Sequence, residues 1–433
     1  MRKLIRYFSI FYLLALMFFI WGAATYKFNI FPFWQIRSIT TQLEDFWRLN
    51  HHDVALDIVK LDHQEMRAQF DFKGLKIVDD NFTDDGYLLI SRYSKLHSQT
   101  IVELFDIAGN QVVHTWIPNL ELIFSVTTDF IIGFNTRMAY RSQHPLLMPN
   151  GDLVFGSGEG ALVRVDACGG LKWAINRHFH HSIELDAAGN IVAPVVAVWH
   201  DDYPGDLFVR DDSVAVISPK GKIISEYSVH KAFLDNGYQG LVFGVGSFED
   251  DRYHLNDAQP IEGRVASEGL LLSLRNISTV ALFVPRTGKF EWLKTGPWLN
   301  QHDINDMGSG RYSIFGNNLV RGGKGIMGDH SEIYQFTPST GQIETPYSRV
   351  LAQVNMATSS GGRLRILDNG DAFIEQTDGE RLMRISRDQV RWEYTNVISE
   401  NTKGEKTTGS LNWSRYLPRD RFDVHWLETV SCE

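Results

Sequence analysis

Cysteine and clustered positive charge are both scarce in this 433-residue sequence. Its two cysteines, Cys168 and Cys432, are too few for a disulfide framework or a structural zinc site. They either form one disulfide in an oxidising compartment or remain two thiols, and the sequence leaves both readings open. No basic tract occurs outside the extreme N-terminus, and the formal net charge is −10. Because nucleic-acid binders normally present a basic face, no nucleic-acid partner is expected.

Long helical periodicity is also missing from most of the chain. Hydrophobic residues make up 43% and aromatic residues 12%, which is enough to bury one large core or two ordinary ones. From about Gly86 onward, short apolar and β-branched stretches alternate with turns rich in Gly, Asn and Asp. The sequence therefore predicts a globular, all-β protein.

The N-terminus predicts a membrane anchor. Arg2, Lys3 and Arg6 precede an uncharged run, residues 7–26, of roughly 20 residues, which is long enough to cross a bilayer as a helix. The positive charge places the N-terminus in the cytoplasm and the rest of the chain outside, on the periplasmic side of the inner membrane in a Gram-negative cell. A cleaved signal peptide is the alternative, with small residues at 22–24 near a cleavage point.

A repeated unit organises the rest of the sequence. Each copy contains short strand-like stretches in the same order, and the copies span residues 86–116, 150–173, 189–225, 269–292, 312–344 and 369–394. Six meanders of about four short strands are typical of radial repetition, so we predict a six-bladed β-propeller. Two stacked β-sandwiches are the alternative, but they would not require the same order in every unit. The tail at 412–427 is predicted to add a strand that helps to close the ring.

Three segments follow from these patterns. Residues 1–27 form the anchor or signal peptide, and residues 28–80 form a helical linker or N-terminal extension. Within that linker, residues 35–50 have the apolar spacing of an amphipathic helix. Residues 81–433 form the propeller, which is expected to be the catalytic domain.

Histidines precede the strand-like stretches of several units. His302 and His181 each lie eight positions before the glycine of a turn, so the repeat makes them equivalent. His254 is the third member, across a longer insertion, and His144 is a fourth candidate whose offset is one shorter. Because the first strand of each blade lines the central channel, these side chains are expected to meet at one mouth of the ring. One such histidine is more often structural, but three at one repeat position favour function.

Arg275 indicates an anionic ligand. It ends the apolar run at 270–274, where an unpaired guanidinium would be costly. The alternative is an ion pair with an acid such as Glu268 or Asp303. Three histidines could also hold zinc or copper, but a neighbouring guanidinium repels a cation and suits an oxyanion. No metal and no other cofactor is therefore expected.

Residues 253–257 (YHLND), 273–276 (SLRN) and 301–303 (QHD), set among Asn-Gly-Asp turns, form a specific combination. Together with the stretch 86–116, they resemble the arylsulfate sulfotransferase family of periplasmic β-propellers. The resemblance covers about residues 80–396, and it does not extend to the apparent anchor or to the C-terminal part. It implies ping-pong transfer of a sulfuryl group from a phenolic sulfate ester to another phenol, without a nucleotide donor, through a sulfated histidine.

The resemblance also implies roles for individual residues. His302 matches the nucleophile, while His254, Arg275 and the pair His180 and His181 match sulfate-binding and acid-base positions. A histidine with a pKa near 6.5 is largely neutral at pH 7 to 8, so His302 could attack sulfur without a strong base. Asp303 or a backbone carbonyl is expected to fix its tautomer.

Substrate-binding residues are expected close to the same segments. Asn256 lies within one of them, and Tyr253 and Trp298, like Phe179, are candidate walls for an aryl ring. Packing inside the propeller is the alternative for these aromatic residues.

Three functions compete on this evidence. The first is the sulfotransferase, with a small aryl sulfate donor and a phenolic acceptor as substrates. The second is a non-catalytic, membrane-tethered propeller that binds an anionic ligand or a protein partner. The third is a metal-dependent lyase or hydrolase. Beyond the membrane and the small substrates, a second copy of the chain in a homodimer is the remaining partner considered.

Overall fold

The computed structural model describes residues 74–433, except 128–135, 138, 204–206, 247, 321–324, 401–405, 410, 422–423, 425, 428–429, 431 and 433, together with eight positions from Tyr7 to Trp21. The chain separates into two compact units, residues 1–65 and 66–433. The eight N-terminal positions are helical and exposed. No helix within the described residues is long and apolar enough to cross a membrane, so the predicted spanning helix is not found there. The predicted linker helix at 35–50 lies outside the described residues.

Short β-strands dominate the larger unit. In chain order the strands are β1 (Leu75–Ile77), β2 (Tyr87–Ser94), β3 (Gln99–Asp106), β4 (Gln111–Trp116), β5 (Gln143–Leu147), β6 (Leu153–Gly156), β7 (Gly160–Val165), β8 (Leu171–Phe179), β9 (Glu184–Leu185), β10 (Ile191–Tyr203), β11 (Leu207–Ile217), β12 (Ile223–Ser228), β13 (Leu255–Pro260) and β14 (Leu270–Leu274). They continue as β15 (Thr279–Val284), β16 (Lys289–Thr295), β17 (Asp303–Asp306), β18 (Tyr312–Gly316), β19 (Glu332–Thr337), β20 (Gln342–Glu344), β21 (Arg363–Ile366), β22 (Ala372–Gln376), β23 (Arg381–Ile385), β24 (Val390–Thr395), β25 (Val397–Glu400), β26 (Lys406–Thr408) and β27 (Arg415–Leu417).

Helices are short and lie in the connections. The α-helices of this unit are Leu120–Val126, Val229–Asp235, Gln239–Phe243 and Ser348–Gln353. Single 3₁₀ turns occur at Ala266–Glu268, Arg275–Ile277 and Arg419–Arg421. The scarcity of helix agrees with the all-β prediction.

The described strands form five larger antiparallel sheets and one two-stranded ribbon. Three sheets have four strands each, in the orders β13-β14-β15-β16, β17-β18-β19-β20 and β27-β2-β3-β4. A five-stranded sheet has the order β1-β24-β23-β22-β21, and an eight-stranded sheet contains β5 to β12. The predicted count of six separate blades is therefore not reproduced. The second and third units share the eight-stranded sheet because Phe179 of β8 pairs with Val195 of β10.

Neighbouring sheets pack in chain order, and both ends of the unit help to close the series. β13 contacts β10 before it and β17 after it, and β17 contacts β21. At the closure, β27 pairs with β2, β1 pairs with β24, and the rings of Phe105 and Tyr394 join the first and last units. This cyclic order of antiparallel meanders defines a propeller. The predicted closing strand within 412–427 is confirmed as β27, whereas β1 adds part of the predicted linker to the propeller.

The C-terminal tail is also fixed covalently. Cys168, in the turn between β7 and β8, forms a disulfide with Cys432. This pairing decides between the two readings that the sequence leaves open, and it ties the end of the chain to the eight-stranded sheet.

Only the second to fourth strands of each unit are evident from the sequence. The first strands, β5, β9, β13, β17, β21 and β27, are short, and several are polar because they face other first strands around the axis. The Asp257 carboxylate, for example, accepts a hydrogen bond from the Ile304 N–H at 3.1 Å, and Asp303 accepts one from the Leu364 N–H at 2.6 Å. His181, His254 and His302 precede β9, β13 and β17, and His144 lies within β5. The innermost strand of the fourth unit is therefore β13, and not the stretch at 269–273 that the alignment took as innermost.

Candidate active site

Four histidines from successive units meet at one end of the first strands. The ring centroid of His181 lies 5.1 Å from that of His254 and 6.4 Å from that of His302. His144 joins them through Trp413, whose ring lies 4.0 Å from His144 and 5.6 Å from His181. We call His144, His181, His254 and His302 the histidine cluster. The prediction that histidines of different units converge is confirmed by these distances.

Backbone conformation corrects the equivalence that the spacing predicts. His181 and His254 adopt left-handed conformations, with φ of 57° and 49°, and the residue in that conformation beside His302 is Asn300, with φ of 50°. His144 and Trp413 share this conformation, with φ of 50° and 60°. His302 thus stands two residues after the position that its neighbours occupy. Left-handed non-glycine residues cost roughly 1–3 kcal/mol and concentrate at functional sites.

Asn317 determines the tautomer of His302. Its Oδ1 lies 2.6 Å from Nδ1 of His302, and its Nδ2 donates to the carbonyls of Thr358 and Gly361, each at 3.0 Å. Because the amide nitrogen serves these two carbonyls, Oδ1 must face the imidazole and Nδ1 must carry the proton. The lone pair therefore lies on Nε2, which accepts a hydrogen bond from the Gly361 N–H at 2.9 Å. Asn317, and not the expected Asp303, thus fixes the ring.

The His302 ring is neutral at ordinary pH. Burial lowers the pKa of His302 to about 3, and the positive charge of Arg275 acts in the same direction. Arg275 begins a 3₁₀ turn, and its backbone N–H donates to the His254 carbonyl at 3.1 Å. Its guanidinium donates to Asn276 Oδ1 at 3.1 Å. The cation is therefore held beside the cluster, where it favours bound anions.

His254 is oriented by a carboxylate. Its Nδ1 lies 2.5 Å from Oδ2 of Asp251, so the neutral ring donates from Nδ1 and presents Nε2 as an acceptor. Burial alone would raise the pKa of Asp251, but the hydrogen bond and charge of His254 outweigh burial and lower it. A histidine paired in this way with a carboxylate can take up and release a proton at Nε2.

A second chain of side chains ends at His181. His180 is buried, its Nε2 lies 3.3 Å from Oδ1 of Asp212, and its Nδ1 lies 2.8 Å from Nδ1 of His181. One of the two Nδ1 atoms must donate and the other accept, so the proton positions of the rings are linked. Burial, with the neighbouring His180 second, holds the pKa of His181 well below its usual value. Of the two histidines, His181 is the one that faces the cluster.

A buried ionic layer lies beside the cluster, among the first strands β9, β21 and β27. Glu184 binds Arg363 at 2.7 Å and Arg415 at 2.9 Å. Burial opposes the charge of Glu184, but the two guanidinium groups outweigh it and lower the pKa of Glu184 to about 2. Burial and the nearby Asp303 raise the pKa of Asp257 well above its usual value. Charges thus lie in fixed positions around the axis.

Several residues expected to bind substrate lie outside the cluster. Tyr253 is fully buried, and its hydroxyl is 2.7 Å from Nδ1 of His230. Trp298 is fully buried against Tyr334 and Phe336. Both aromatic rings therefore have the packing role that was their alternative, and Phe179 is likewise part of a hydrophobic cluster. Asn256 is buried, and its amide nitrogen donates to the Gln301 carbonyl at 3.1 Å.

Three residues of the site were not identified from the sequence. Asn317 follows Gly316 at the end of β18, where Asn after Gly signals a turn. Asp251 precedes His254 by three residues, which is a weak signal in an acidic chain. Trp413 lies just before the closing strand, at the position that histidines occupy in other units. The repeat could have revealed Trp413 only if β27 had been recognised as a first strand.

A neighbouring cleft and the side chains available as metal ligands indicate which chemistry the cluster suits. A cleft lined by Pro297, Leu299, Asn318, Met327, His330 and Tyr334, among others, opens on the loops that flank His302 and contains none of the four histidines. Within the described residues, no group of three or more His, Cys, Asp or Glu side chains is arranged to hold a metal ion. The arrangement of lone pairs and donors instead suits nucleophilic and proton-transfer chemistry on an anion.

The fold and the site define an all-β propeller with a histidine-lined centre beside a fixed arginine. The family model of arylsulfotransferase (ASST) matches residues 143–397, which is more than half of the chain, and the chain belongs to this family. The match begins at β5 and includes the whole histidine cluster and Arg275, but it ends before Trp413. Family membership indicates sulfotransferase chemistry on aryl substrates.

Other comparisons give more distant similarities. No curated protein matches the chain significantly. Among solved structures, a protein of unknown function from Bacteroides caccae shares 12% identity over 77% of this chain and 99% of its own, with a TM-score of 0.48. The WD40 β-propeller domain of Doa1 shares 12% identity over 83% and 97% of the two chains, with a TM-score of 0.42. Streptogramin B lyase shares 12% identity over 79% and 97%, with a TM-score of 0.40.

Proposed function

We propose that the chain transfers a sulfuryl group from an aryl sulfate ester to a phenol, through a covalent intermediate on Nε2 of His302. The observation that carries this proposal is the fixed tautomer of His302, whose proton is on Nδ1 and whose lone pair is on Nε2. The proximity of Arg275 and His254 supports it, because the reaction needs a group that binds an anion and a group that moves a proton.

In the first half-reaction, Nε2 of His302 attacks sulfur. The N–S bond forms as the S–O bond to the aryl group breaks, and the electron pair leaves on the phenolate oxygen. A phenol has a pKa of about 10, so its departure is assisted by a proton. His254, held by Asp251, donates that proton from Nε2 when its ring is doubly protonated. The positive charge on the sulfated imidazole is stabilised by Asn317 Oδ1 at Nδ1.

The sulfuryl group needs stabilisation while it moves. Transfer should pass through a loose transition state like that of phosphoryl transfer, so the protein mainly positions the group and stabilises spread negative charge. The Arg275 guanidinium supplies positive charge. The Gly361 N–H, which bonds Nε2 in the resting site, is displaced by the incoming sulfur and becomes a donor to a sulfuryl oxygen.

In the second half-reaction, the acceptor phenol replaces the departed one. Its oxygen attacks sulfur, the N–S bond breaks, and the phenolic proton passes to Nε2 of His254. The site then returns to its starting protonation, so donor and acceptor react in turn. The exposed part of Trp413, which stands against His144 and His181, is an aryl wall in place of Tyr253 and Trp298.

We also propose that the propeller works outside the cytoplasm, anchored through the N-terminal apolar run. The disulfide between Cys168 and Cys432 supports this setting, because such bonds persist mainly in oxidising compartments.

Mass spectrometry tests the covalent step. The protein is mixed with 4-nitrophenyl sulfate without acceptor, and its intact mass should rise by one sulfuryl group, located by peptide mapping on His302. The His302→Asn variant should gain no mass and release no nitrophenol. The proposal would be abandoned if the wild-type protein released no nitrophenol with any phenolic acceptor tried, or if the label mapped elsewhere.

A further inference from the structure

His144 belongs to the histidine cluster but takes no part in the transfer described above. Its Nδ1 lies 3.2 Å from Nη1 of Arg363, and the same guanidinium is ion-paired with Glu184 at 2.7 Å. A guanidinium has only donors, so Nδ1 of His144 must be the acceptor. The proton of the neutral ring is therefore on Nε2, which is the opposite tautomer to that of His302.

The His144 ring is held neutral. Burial lowers the pKa of His144 well below its usual value, and the charges of Arg363 and Arg415 add to the effect. Glu184 is ion-paired with the guanidinium groups of both Arg363 and Arg415. Arg363 is therefore held in place, and Nδ1 of His144 remains the acceptor. His144 is thus a neutral imidazole with a fixed N–H donor.

Among the residues that the structure describes, the donor has no partner. His144 is only 4% exposed, and its buried Nε2 has no hydrogen-bond partner. Buried donors are nearly always paired, because an unpaired one retains its desolvation penalty. Its ring lies against Trp413, and the same tryptophan contacts His181. An acceptor atom in the cluster would remove the penalty.

We propose that the Nε2–H of His144 binds an oxygen of the sulfuryl group, as a neutral donor. This inference deepens the proposed function and relies on it for the identity of the anion. Arg363 and Glu184 act as positioning residues that hold the donor tautomer. Because the donor is neutral, it binds the anion without changing the protonation of His302. The His144 donor also keeps its proton when the sulfuryl group moves from oxygen to nitrogen.

Two substitutions separate the donor from the rest of the side chain. In His144→Asn the amide can still accept from Arg363 near the position of Nδ1, but it does not reach the position of Nε2. In His144→Gln the longer side chain can place an N–H near the Nε2 position. Asparagine also tolerates the left-handed backbone at this residue.

The probe is 4-toluenesulfonate, whose sulfur is bonded to carbon and cannot be transferred, and affinity is measured by calorimetry on the full chain. His144→Asn should bind it about ten- to a hundredfold more weakly than wild type, as expected for loss of a hydrogen bond to a charged group. His144→Gln should recover most of that loss. His114→Leu is the matched control, because His114 is a largely buried histidine of β4 bonded to the Ala167 carbonyl, outside the cluster.

Each outcome decides the inference. Wild-type affinity in His144→Asn, equal weakening in both variants, or no binding by the wild-type protein would overturn the donor role. Circular dichroism and thermal unfolding establish that both variants fold. If the predicted order of affinities appears but no aryl sulfate is turned over, the anion site stands and the proposed transfer fails.

Discussion

Acid should destabilise the folded chain through its buried histidines, and His302 allows the effect to be calculated. Burial, with Arg275 next, lowers the pKa of His302 to about 3, from its ordinary value of 6.5. Below pH 6.5 the unfolded chain therefore binds a proton that the folded chain does not bind. The contribution to stability is fully present above pH 6.5 and is lost as the pH falls toward 3. At pH 5.5 the loss is about 1.4 kcal/mol, from one pH unit at 1.36 kcal/mol per unit.

Between pH 7.5 and 5.5 the change in stability reports on histidines, because carboxylates whose pKa is lowered contribute to the change only at more acidic pH. Glu184 has a pKa of about 2 against an ordinary value of 4.5, so its contribution is lost only below about pH 4.5. Urea unfolding at the two pH values gives the free energy of unfolding for wild type and for His302→Asn. The difference between the two proteins should change by about 1.4 kcal/mol between pH 7.5 and 5.5, because other titrating groups cancel.

His97→Asn is the control, since His97 lies in the turn between β2 and β3, in a unit that contributes none of the four histidines of the cluster. Its difference from wild type should stay nearly constant over the same window. Equal losses of unfolding free energy in wild type and His302→Asn would refute the reasoning, because His302 would then carry no depressed pKa in the folded state.

Other substitutions test the supports of the site and the closure of the chain. Asn317→Ala removes three buried hydrogen bonds at about 1 kcal/mol each, so unfolding free energy should fall by about 2–4 kcal/mol and kcat by about a hundredfold. Nitrogen-15 NMR should show loss of the Nδ1–H tautomer of His302, and an unchanged tautomer would contradict the role of Asn317. Asp251→Asn should lower kcat for a poor phenolate leaving group more than for nitrophenolate, because only the former depends strongly on the proton from His254; equal losses would argue against that proton transfer. Cys168→Ser opens a disulfide that spans 264 residues and should lower unfolding free energy by about 2–5 kcal/mol, measured in urea without reductant. Stability equal to that of wild type would show that the bond does not restrain the unfolded chain.

The sequence predicts strands correctly where a strand is a continuous run of apolar residues. Strands such as β14 and β15 are continuous runs of buried apolar residues bounded by glycine turns, so local sequence identifies them. β9 and β17 failed this test because they are two and four residues long and contain carboxylates. Asp303 of β17 accepts from the Leu364 N–H, and Glu184 of β9 binds the guanidinium groups of Arg363 and Arg415. Local sequence cannot reveal these distant partners. The blade count differed for the same kind of reason, since one pairing of Phe179 with Val195 joins two units.

The candidate site shows a similar division. Repetition and residue chemistry were enough to select His181, His254, His302 and Arg275, because histidines recur at related positions and a cation after a buried strand is costly. The aromatic predictions failed at Tyr253 and Trp298, since proximity to a motif in the sequence does not determine whether a ring faces the cluster or the core. Only the tertiary structure shows that both rings face the core.

The sequence by itself determined the repeated order of strands and turns, the closing strand of the tail and the residue types from which an anion site is built. The tertiary structure decided which imidazole nitrogen carries a proton, because each proton follows from a partner distant in sequence: Asn317 for His302 and Arg363 for His144. It also brought Trp413 beside the histidines and paired Cys168 with Cys432. Local sequence sets strands through short-range sterics and periodic burial, whereas tautomers and contacts across the axis depend on closure of the whole ring.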